Sequence, residues 1–354
     1  MEYPKFKVCV RCFTFNHSKY ITDAMNGFVM QQTDFPYVCC IVDDASKDGE
    51  QEVIRKYVSD NFDLSEGSCH FERETDYAFI TYAQHKTNKN CYFAVLYLKE
   101  NHYSIKKPKM PYLAEWQDGC EYHALCEGDD YWIHSGKLQM QADYLDSHLN
   151  CVMCHTSFKY YYQSEHKFLF SNDIMINKPP YPVNHHDILL KYHIQTVTVM
   201  MRQSAKKMAL SFDPFLFSGY FKMGDTQLWY QLSKVGNIHF IDSVTSVYRK
   251  NSGSATKQSG KQYYRFLLSS AEMRYYIAIH DSLPESVFAR FEKSYEMAVN
   301  KYWLFDSGFV PTIGDKMVQN KNGKFLWLKK QYYTIQLIIR PYFGFFYRLF
   351  KKHW

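Results

Sequence analysis

Two short apolar runs in this 354-residue chain each end on crowded carboxylates, and that pattern narrows the folds open to it. Tyr37-Val38-Cys39-Cys40-Ile41-Val42 runs into Asp43-Asp44, and Tyr122-His123-Ala124-Leu125-Cys126 runs into Glu127-Gly128-Asp129-Asp130-Tyr131-Trp132. Continuous apolar runs of this length read as strands buried on both faces, which belong to sheets covered by helices. In open α/β sheets ligands lie beyond the carboxyl ends of the strands. Carboxylates gathered there repel one another and imply a cation, a proton or a ligand hydroxyl between them. A hard divalent ion sharing its coordination shell with substrate phosphates suits the second cluster. The pattern points to an enzyme that handles a nucleotide diphosphate.

The rest of the first half supports an alternating layout. Lys7 to Phe13 reads as a strand, and Ser18 can cap a following helix whose Ile21, Ala24, Phe28 and Val29 share one face. After the second strand, Asp43 to Gly49 is a turn, and Val53, Ile54, Tyr57 and Val58 continue as a helix. Strand-helix-strand-helix alternation predicts a parallel sheet. Asp60 to Asp118 is polar and rich in Tyr, His and Lys, with a helix expected around Tyr92 to Tyr97. A segment this long carries secondary structure of its own or a function. Ser135 can cap a helix with Leu138, Ala142, Leu145 and Leu149 on one side, and Cys151 to Tyr162 reads as strand. Pro179 to Pro182 marks a loop, Thr196 to Met201 a strand, and Asp225 to Lys234 a helix. Ile238 to Tyr248 reads as two strands interrupted near Asp242, and from Gln262 onward the pattern is helical.

Charge is unevenly placed. Lys316 to Trp354 holds nine Lys or Arg and no acid, which leaves 33 basic against 36 acidic residues, or −3, in the first 315. The net +6 therefore belongs to the tail, and a generally basic nucleic-acid binder is excluded. Phe325 to Trp354 has eleven aromatic residues among thirty, interleaved with Lys and Arg, and Arg340-Pro341 interrupts its longest apolar run. No transmembrane span is expected there, whereas an interfacial helix on an anionic membrane surface is. The N-terminus lacks a charged segment followed by an apolar one, so no secretion is expected. Ten scattered cysteines, often inside apolar runs, fit buried thiols of a reducing cytoplasm. Cys151-Val152-Met153-Cys154-His155 has no matching second half and reads as core.

Taken in order, the motifs resemble those of the family 2 glycosyltransferases with the GT-A fold, particularly bacterial enzymes of surface-polysaccharide synthesis. The resemblance runs from about residue 5 to 256. It is carried by Thr14-Phe15-Asn16-His17 with Tyr20-Ile21, Gln32-Thr33, Val42 through Gly49, Leu125 through Trp132, Lys137-Leu138-Gln139, Met223-Gly224-Asp225, and Tyr248-Arg249 with Gly253-Ser254. It implies a Rossmann-like, mixed but mostly parallel sheet flanked by helices over residues 1–258, and a helical extension over 259–354 ending in the basic aromatic tail.

The resemblance also implies roles. Thr14, Asn16, Asp43 and Asp44 would hold the nucleotide base and ribose, and Asn101 and Tyr103 would touch the donor. Glu127, standing where Asp is more usual, with Asp129 and Asp130 would hold Mg²⁺ or Mn²⁺ against the two phosphates, Asp129 and Asp130 being favoured. Asp129 and Trp132 would also face the donor. Arg249 and Ser254 would belong to a loop closing over the diphosphate, where Asn251 replaces the usual His; Phe13 replaces the commoner Pro. Asp225 would be the general base of an inverting transfer, although an Asp before Thr226-Gln227-Leu228-Trp229 is also a good helix cap.

The function so implied is metal-assisted transfer from a nucleotide-diphosphate sugar, a UDP-sugar foremost, to a hydroxyl of a glycan or lipid-linked glycan. The transferred group would be a hexose or N-acetylhexosamine, at the cytoplasmic face of a membrane bound through residues 325–354. The competing reading is a catalytically silent nucleotide-binding partner in a glycan-assembly complex, which Glu127 and Asn251 favour and the retained Asp225 opposes. A nucleotidyltransferase would need a Gly-rich, basic signature near the N-terminus, which residues 13–20 lack.

Overall fold

The computed structural model describes residues 3–170, 185–190, 194–251, 260–306 and 309. Its described residues fall into two compact units, one of Met1–Phe217 with Asp225–Ser252, the other of Ser218–Gly224 with Gly253–Trp354.

The first unit is α/β. Its elements in order are β1 (Val8–Thr14), α1 (Ile21–Val29), β2 (Tyr37–Asp43), α2 (Glu50–Asn61), β3 (Phe71–Glu74), β4 (Ala78–Gln84), β5 (Cys91–Leu98), α3 (Ala114–Gln117), β6 (Tyr122–Leu125), β7 (Tyr131–Trp132) and α4 (Lys137–Ser147). There follow β8 (Cys151–Tyr162), β9 (Lys167–Phe170), α5 (His185–Leu190), β10 (Met200–Arg202), α6 (Gln203–Phe212), α7 (Asp225–Val235) and β11 (Asn237–Lys250). One sheet runs β3-β4-β5-β2-β1-β6-β10-β8-β11-β7, with β9 added to β8. Its centre, β5-β2-β1-β6, is parallel as the alternation predicts, and β8 pairs in parallel with β11. Antiparallel strands complete both sides.

Every residue of β2 and β5 is buried. One face packs Val10, Cys12, Ile41 and Phe93 against Phe28 of α1, Ile54 of α2 and Leu138 of α4. The other packs Cys9, Val38, Cys40 and Leu96 against Leu113 and Trp116. Because β1, β2 and β6 are parallel, Thr14, Asp43 and Leu125 all end at the same edge of the sheet. That edge carries the candidate site.

Several expectations change in the structure. The helix expected around Tyr92 to Tyr97 is strand β5, since an eight-residue apolar run seated between β2 and β4 is buried on both faces. Thr196 to Met201 divides into a single 3₁₀ turn, Thr196–Thr198, and the short β10. Ile238 to Tyr248 is one strand with its register broken between Ile241 and Val244. Leu149 lies beyond α4 and is exposed, so it does not join Leu138, Ala142 and Leu145. All ten cysteines are free, and all but the half-buried Cys69 are buried.

The second unit holds α8 (Gly260–His280) and α9 (Glu285–Tyr302), packed through Leu268, Ala271, Tyr275, Tyr295, Val299 and Tyr302. No described helix is long and apolar enough to cross a membrane. Ser254 and the tail 325–354, the expected diphosphate and membrane contacts, lie outside the described residues.

Candidate active site

The turn after β1 and the turn after β2 are stitched together. Glu50, fully buried at the start of α2, accepts from the Thr14 hydroxyl through Oε1, and through Oε2 from the His17 N–H and the Ser46 hydroxyl, both at 2.8 Å. The Asn16 N–H donates to Ser46 Oγ at 2.8 Å, and Asn16 Oδ1 accepts from the Lys47 N–H at 2.8 Å. Asn16 itself takes a left-handed φ of 56°, which short amide side chains tolerate. Thr14 and Asn16, expected at the nucleotide, are thus bonded into the scaffold. Glu50 is the residue the motif reading missed. Its burial beside Asp43 pushes its carboxyl above the usual range.

The Asp43-Asp44 pair divides. Asp44 is saturated: Oδ1 accepts from the His102 N–H at 2.7 Å, and Oδ2 from the Tyr103 N–H at 3.1 Å and Lys109 Nζ at 2.7 Å. Asn101 joins this anchor by donating to the Asp44 carbonyl at 2.9 Å, while the Tyr103 ring is exposed. Asp43 differs. Its Oδ2 accepts from the Ser46 N–H and Gln51 Nε2, but its Oδ1 is buried with no hydrogen-bond partner. Burial raises its pKa, and the unpartnered oxygen stands at the strand end.

The second acidic cluster sits directly on the end of β1. Gly128 donates its N–H to the Phe13 carbonyl at 3.1 Å, and a Cβ at Gly128 would fall 2.0 Å from Thr14 Oγ1. Only glycine lets the loop approach so closely. Asp130 points inward, is 3% exposed, and accepts from the Arg249 N–H at 2.8 Å through Oδ1. Burial and then the neighbouring Asp129 push its pKa well up. Asp129 stays partly open, with Oδ2 3.0 Å from Asn251 Nδ2 and 3.9 Å from His17 Nε2. Glu127 is 34% exposed at the side chain and lies 3.6 Å from Arg11. Burial raises its pKa, Arg11 opposes that, and Asp129 adds to it.

Two of the expected contacts are enclosed by other side chains. Trp132 is buried in the core, edge-on to Phe28 at 5.1 Å and donating to the Val197 carbonyl at 2.9 Å, so it packs the core beneath the acidic loop. Arg249 is 5% exposed and fully engaged. Its Nε donates to the Asp129 carbonyl at 2.9 Å, one terminal nitrogen to Gln163 and the other to Asp23, both at 2.6 Å. It braces the 129–130 loop and offers no open charge to a diphosphate. Lys250 lies over the Tyr160 and Tyr248 rings.

Asp225 begins α7, half-buried, and its Oδ1 accepts from the Thr226 N–H at 2.7 Å. The Tyr248 hydroxyl is driven upward in pKa by burial and then by Asp130, Asp129, Tyr160 and Asp225. Among the described residues no three His, Cys, Asp or Glu side chains form a metal cage. Glu127 and Asp129 nevertheless fit a hard cation that takes one or two carboxylates and completes its shell with phosphate and water.

No family model matches the chain. Uncharacterized protein Rv1520 of Mycobacterium tuberculosis and Uncharacterized protein Mb1547 of Mycobacterium bovis are each 30% identical over 141 residues, which is 40% of this chain. The chain spans 32% of the length of those relatives. Among solved structures, Staphylococcus aureus TarS 1-349 in complex with UDP aligns with a TM-score of 0.41 at 17% identity, covering 85% of this chain and 73% of that one. The mannosyltransferase PcManGT of Pyrobaculum calidifontis, in complex with GDP-Man and Mn²⁺, aligns with a TM-score of 0.45 at 12% identity, covering 96% and 87%.

Proposed function

We propose that the chain is an inverting glycosyltransferase moving a sugar from a nucleotide-diphosphate sugar, a UDP-sugar foremost, to a hydroxyl of a glycan or lipid-linked glycan. The observation that carries this reading is the edge of the parallel sheet where Asp43, Glu127 and Asp129 keep open carboxylate capacity. The unpartnered Asp43 Oδ1 would accept from a base imide N–H or a ribose hydroxyl. Glu127 and Asp129 would hold a divalent ion, Mg²⁺ or Mn²⁺, which as a Lewis acid offsets charge on a departing diphosphate. Asp130, already bonded to the Arg249 N–H, would shape the loop that presents its two neighbours.

Asp225 would take the proton of the attacking hydroxyl while that oxygen bonds to the anomeric carbon and the bond from that carbon to the phosphate oxygen breaks. A base so used must lie within hydrogen-bond reach of the hydroxyl. Ser254 would add to the diphosphate site and residues 325–354 would hold the chain at a membrane surface. The engaged state of Arg249 favours one rival, a nucleotide-binding partner without turnover. Nucleotide release from UDP-glucose, UDP-N-acetylglucosamine and GDP-mannose with a hydroxyl acceptor separates the two. Turnover abolished by Asp225→Asn supports the transferase; nucleotide binding with no turnover from any donor supports the rival.

A further inference from the structure

The turn after β1 carries an imidazole that faces the acidic loop. His17 is pinned through its backbone: its N–H donates to Glu50 Oε2 at 2.8 Å, and its carbonyl accepts from the Tyr20 and Ile21 N–H groups at 2.8 and 2.9 Å. The ring is held as well, with Nδ1 3.2 Å from Thr14 Oγ1. The Thr14 hydroxyl gives its proton to the buried Glu50 Oε1, so Thr14 Oγ1 accepts from the His17 ring. That order of bonds assigns the ring proton to Nδ1 and leaves the lone pair on Nε2.

Nε2 lies 3.9 Å from Asp129 Oδ2, too far for a hydrogen bond. One metal ion bonded to both atoms at roughly 2.0–2.1 Å each would span that separation. Gly128 lets the acidic loop settle against this turn, since a Cβ there would fall 3.2 Å from His17 Nδ1 as well as onto Thr14. Asn251 Nδ2 donates to the same Asp129 oxygen at 3.0 Å, and a donating amide nitrogen has no lone pair for a metal. His17 and Asp129 both reach solvent, with side chains 24% and 20% exposed.

We propose that His17 Nε2 is a metal ligand beside Asp129, with Thr14 and Glu50 behind it fixing its tautomer. This rests on the reading of Asp129 as a metal ligand. An imidazole whose other nitrogen donates into a network ending on a carboxylate is oriented for a metal and made more basic. Two protein groups are fewer than a closed cage, which the described residues do not form, and leave positions for phosphate and water. Imidazole is a transition-metal ligand, whereas Mg²⁺ takes oxygen, so the site would take Mn²⁺ ahead of Mg²⁺.

Pulsed EPR on the full chain with Mn²⁺, alone and with UDP, reads the ligand directly and needs no turnover. The wild type should show nitrogen coupling at the bound ion, altered when histidine is ¹⁵N-labelled. His17→Asn keeps a donor for Thr14 Oγ1 but has no Nε2. It should lose the coupling, weaken Mn²⁺ binding at least about tenfold, narrow the preference for Mn²⁺ over Mg²⁺, and keep Tm. Bound Mn²⁺ without nitrogen coupling in the wild type, or coupling that persists in His17→Asn, overturns the proposal alone. No Mn²⁺ bound with or without UDP, or binding that survives unchanged in Asp129→Ala, refutes the reading of Asp129 and the proposal with it.

Discussion

The two acidic corners at the sheet edge are built alike, and each divides its labour between neighbours. At the first, Asp44 is consumed by the 101–109 segment while adjacent Asp43 keeps a buried oxygen unpaired. At the second, Asp130 is drawn inward to the Arg249 N–H while Asp129 and Glu127 remain partly exposed. The difference lies in what the rest of the fold has already claimed. A claimed carboxylate holds a loop in place, and on the proposed function an open one would take a ligand. Open groups should therefore cost function when removed, and claimed groups stability.

The sharpest break would come at Asp225. Asp225→Asn should lower transfer by roughly 10²–10⁴-fold, with nucleotide affinity and Tm nearly unchanged. Steady-state kinetics beside calorimetric binding would show it. A loss of Tm of the same severity would make Asp225 a cap and nothing more.

Claimed residues should behave in the opposite way. Trp132→Ala removes a core ring and should cost about 3–5 kcal/mol of stability in denaturant titration. Nucleotide affinity of the molecules that remain folded should be kept. Arg249→Met should cost about 2–4 kcal/mol, less than a fully buried pair because its partner Asp23 is half-exposed. If either variant instead stays stable and loses nucleotide, the division between claimed and open groups is wrong at that position.

Within the first corner, Asp43→Asn should weaken nucleotide binding about tenfold, since a donor would replace the free acceptor oxygen. Asp44→Asn should leave that affinity closer to wild type and speed amide exchange over residues 101–109. Equal losses of affinity in both variants would erase the contrast.

The smallest effect is a matter of pH. The folded pKa of Asp130 lies above its unfolded value, so the native state binds a proton more tightly than the unfolded chain. The carboxylate therefore destabilises the fold at pH above its folded pKa, and the penalty vanishes below the unfolded one. Asp130→Asn, which can still accept from the Arg249 N–H, should raise Tm by roughly 2–4 °C at about pH 8 and by nothing at about pH 3. A lower Tm at both pH values would show that the charge itself supports the loop.

Much of this was legible in the sequence. Apolar runs stopping at acids located the strand ends and hence the sheet edge, because burial on both faces leaves a continuous apolar signal. The same signal misled at Tyr92 to Tyr97, where a run of that length fits a strand or a helix and only pairing with β2 decides. Within the motifs, residue type located the clusters but not their division. Whether Asp43 or Asp44 faces a ligand depends on His102, Tyr103 and Lys109, nearly sixty residues or more away in the chain. Glu50 escaped notice because a glutamate opening a helix is ordinary, and its burial follows only once the two turns meet. Trp132 and Arg249 took their expected roles from resemblance, whereas their neighbours here enclose them.

On the proposed function, the open carboxylates bind a metal-bound nucleotide diphosphate. Thermal shift with UDP, GDP, dTDP and CDP, each with and without Mn²⁺, on the wild type, Asp129→Ala and Asp130→Asn measures that binding. One nucleotide should raise Tm, Mn²⁺ should enhance the rise, and Asp129→Ala should lose it while Asp130→Asn keeps it. No stabilisation by any nucleotide, or a rise that survives in Asp129→Ala, would contradict it.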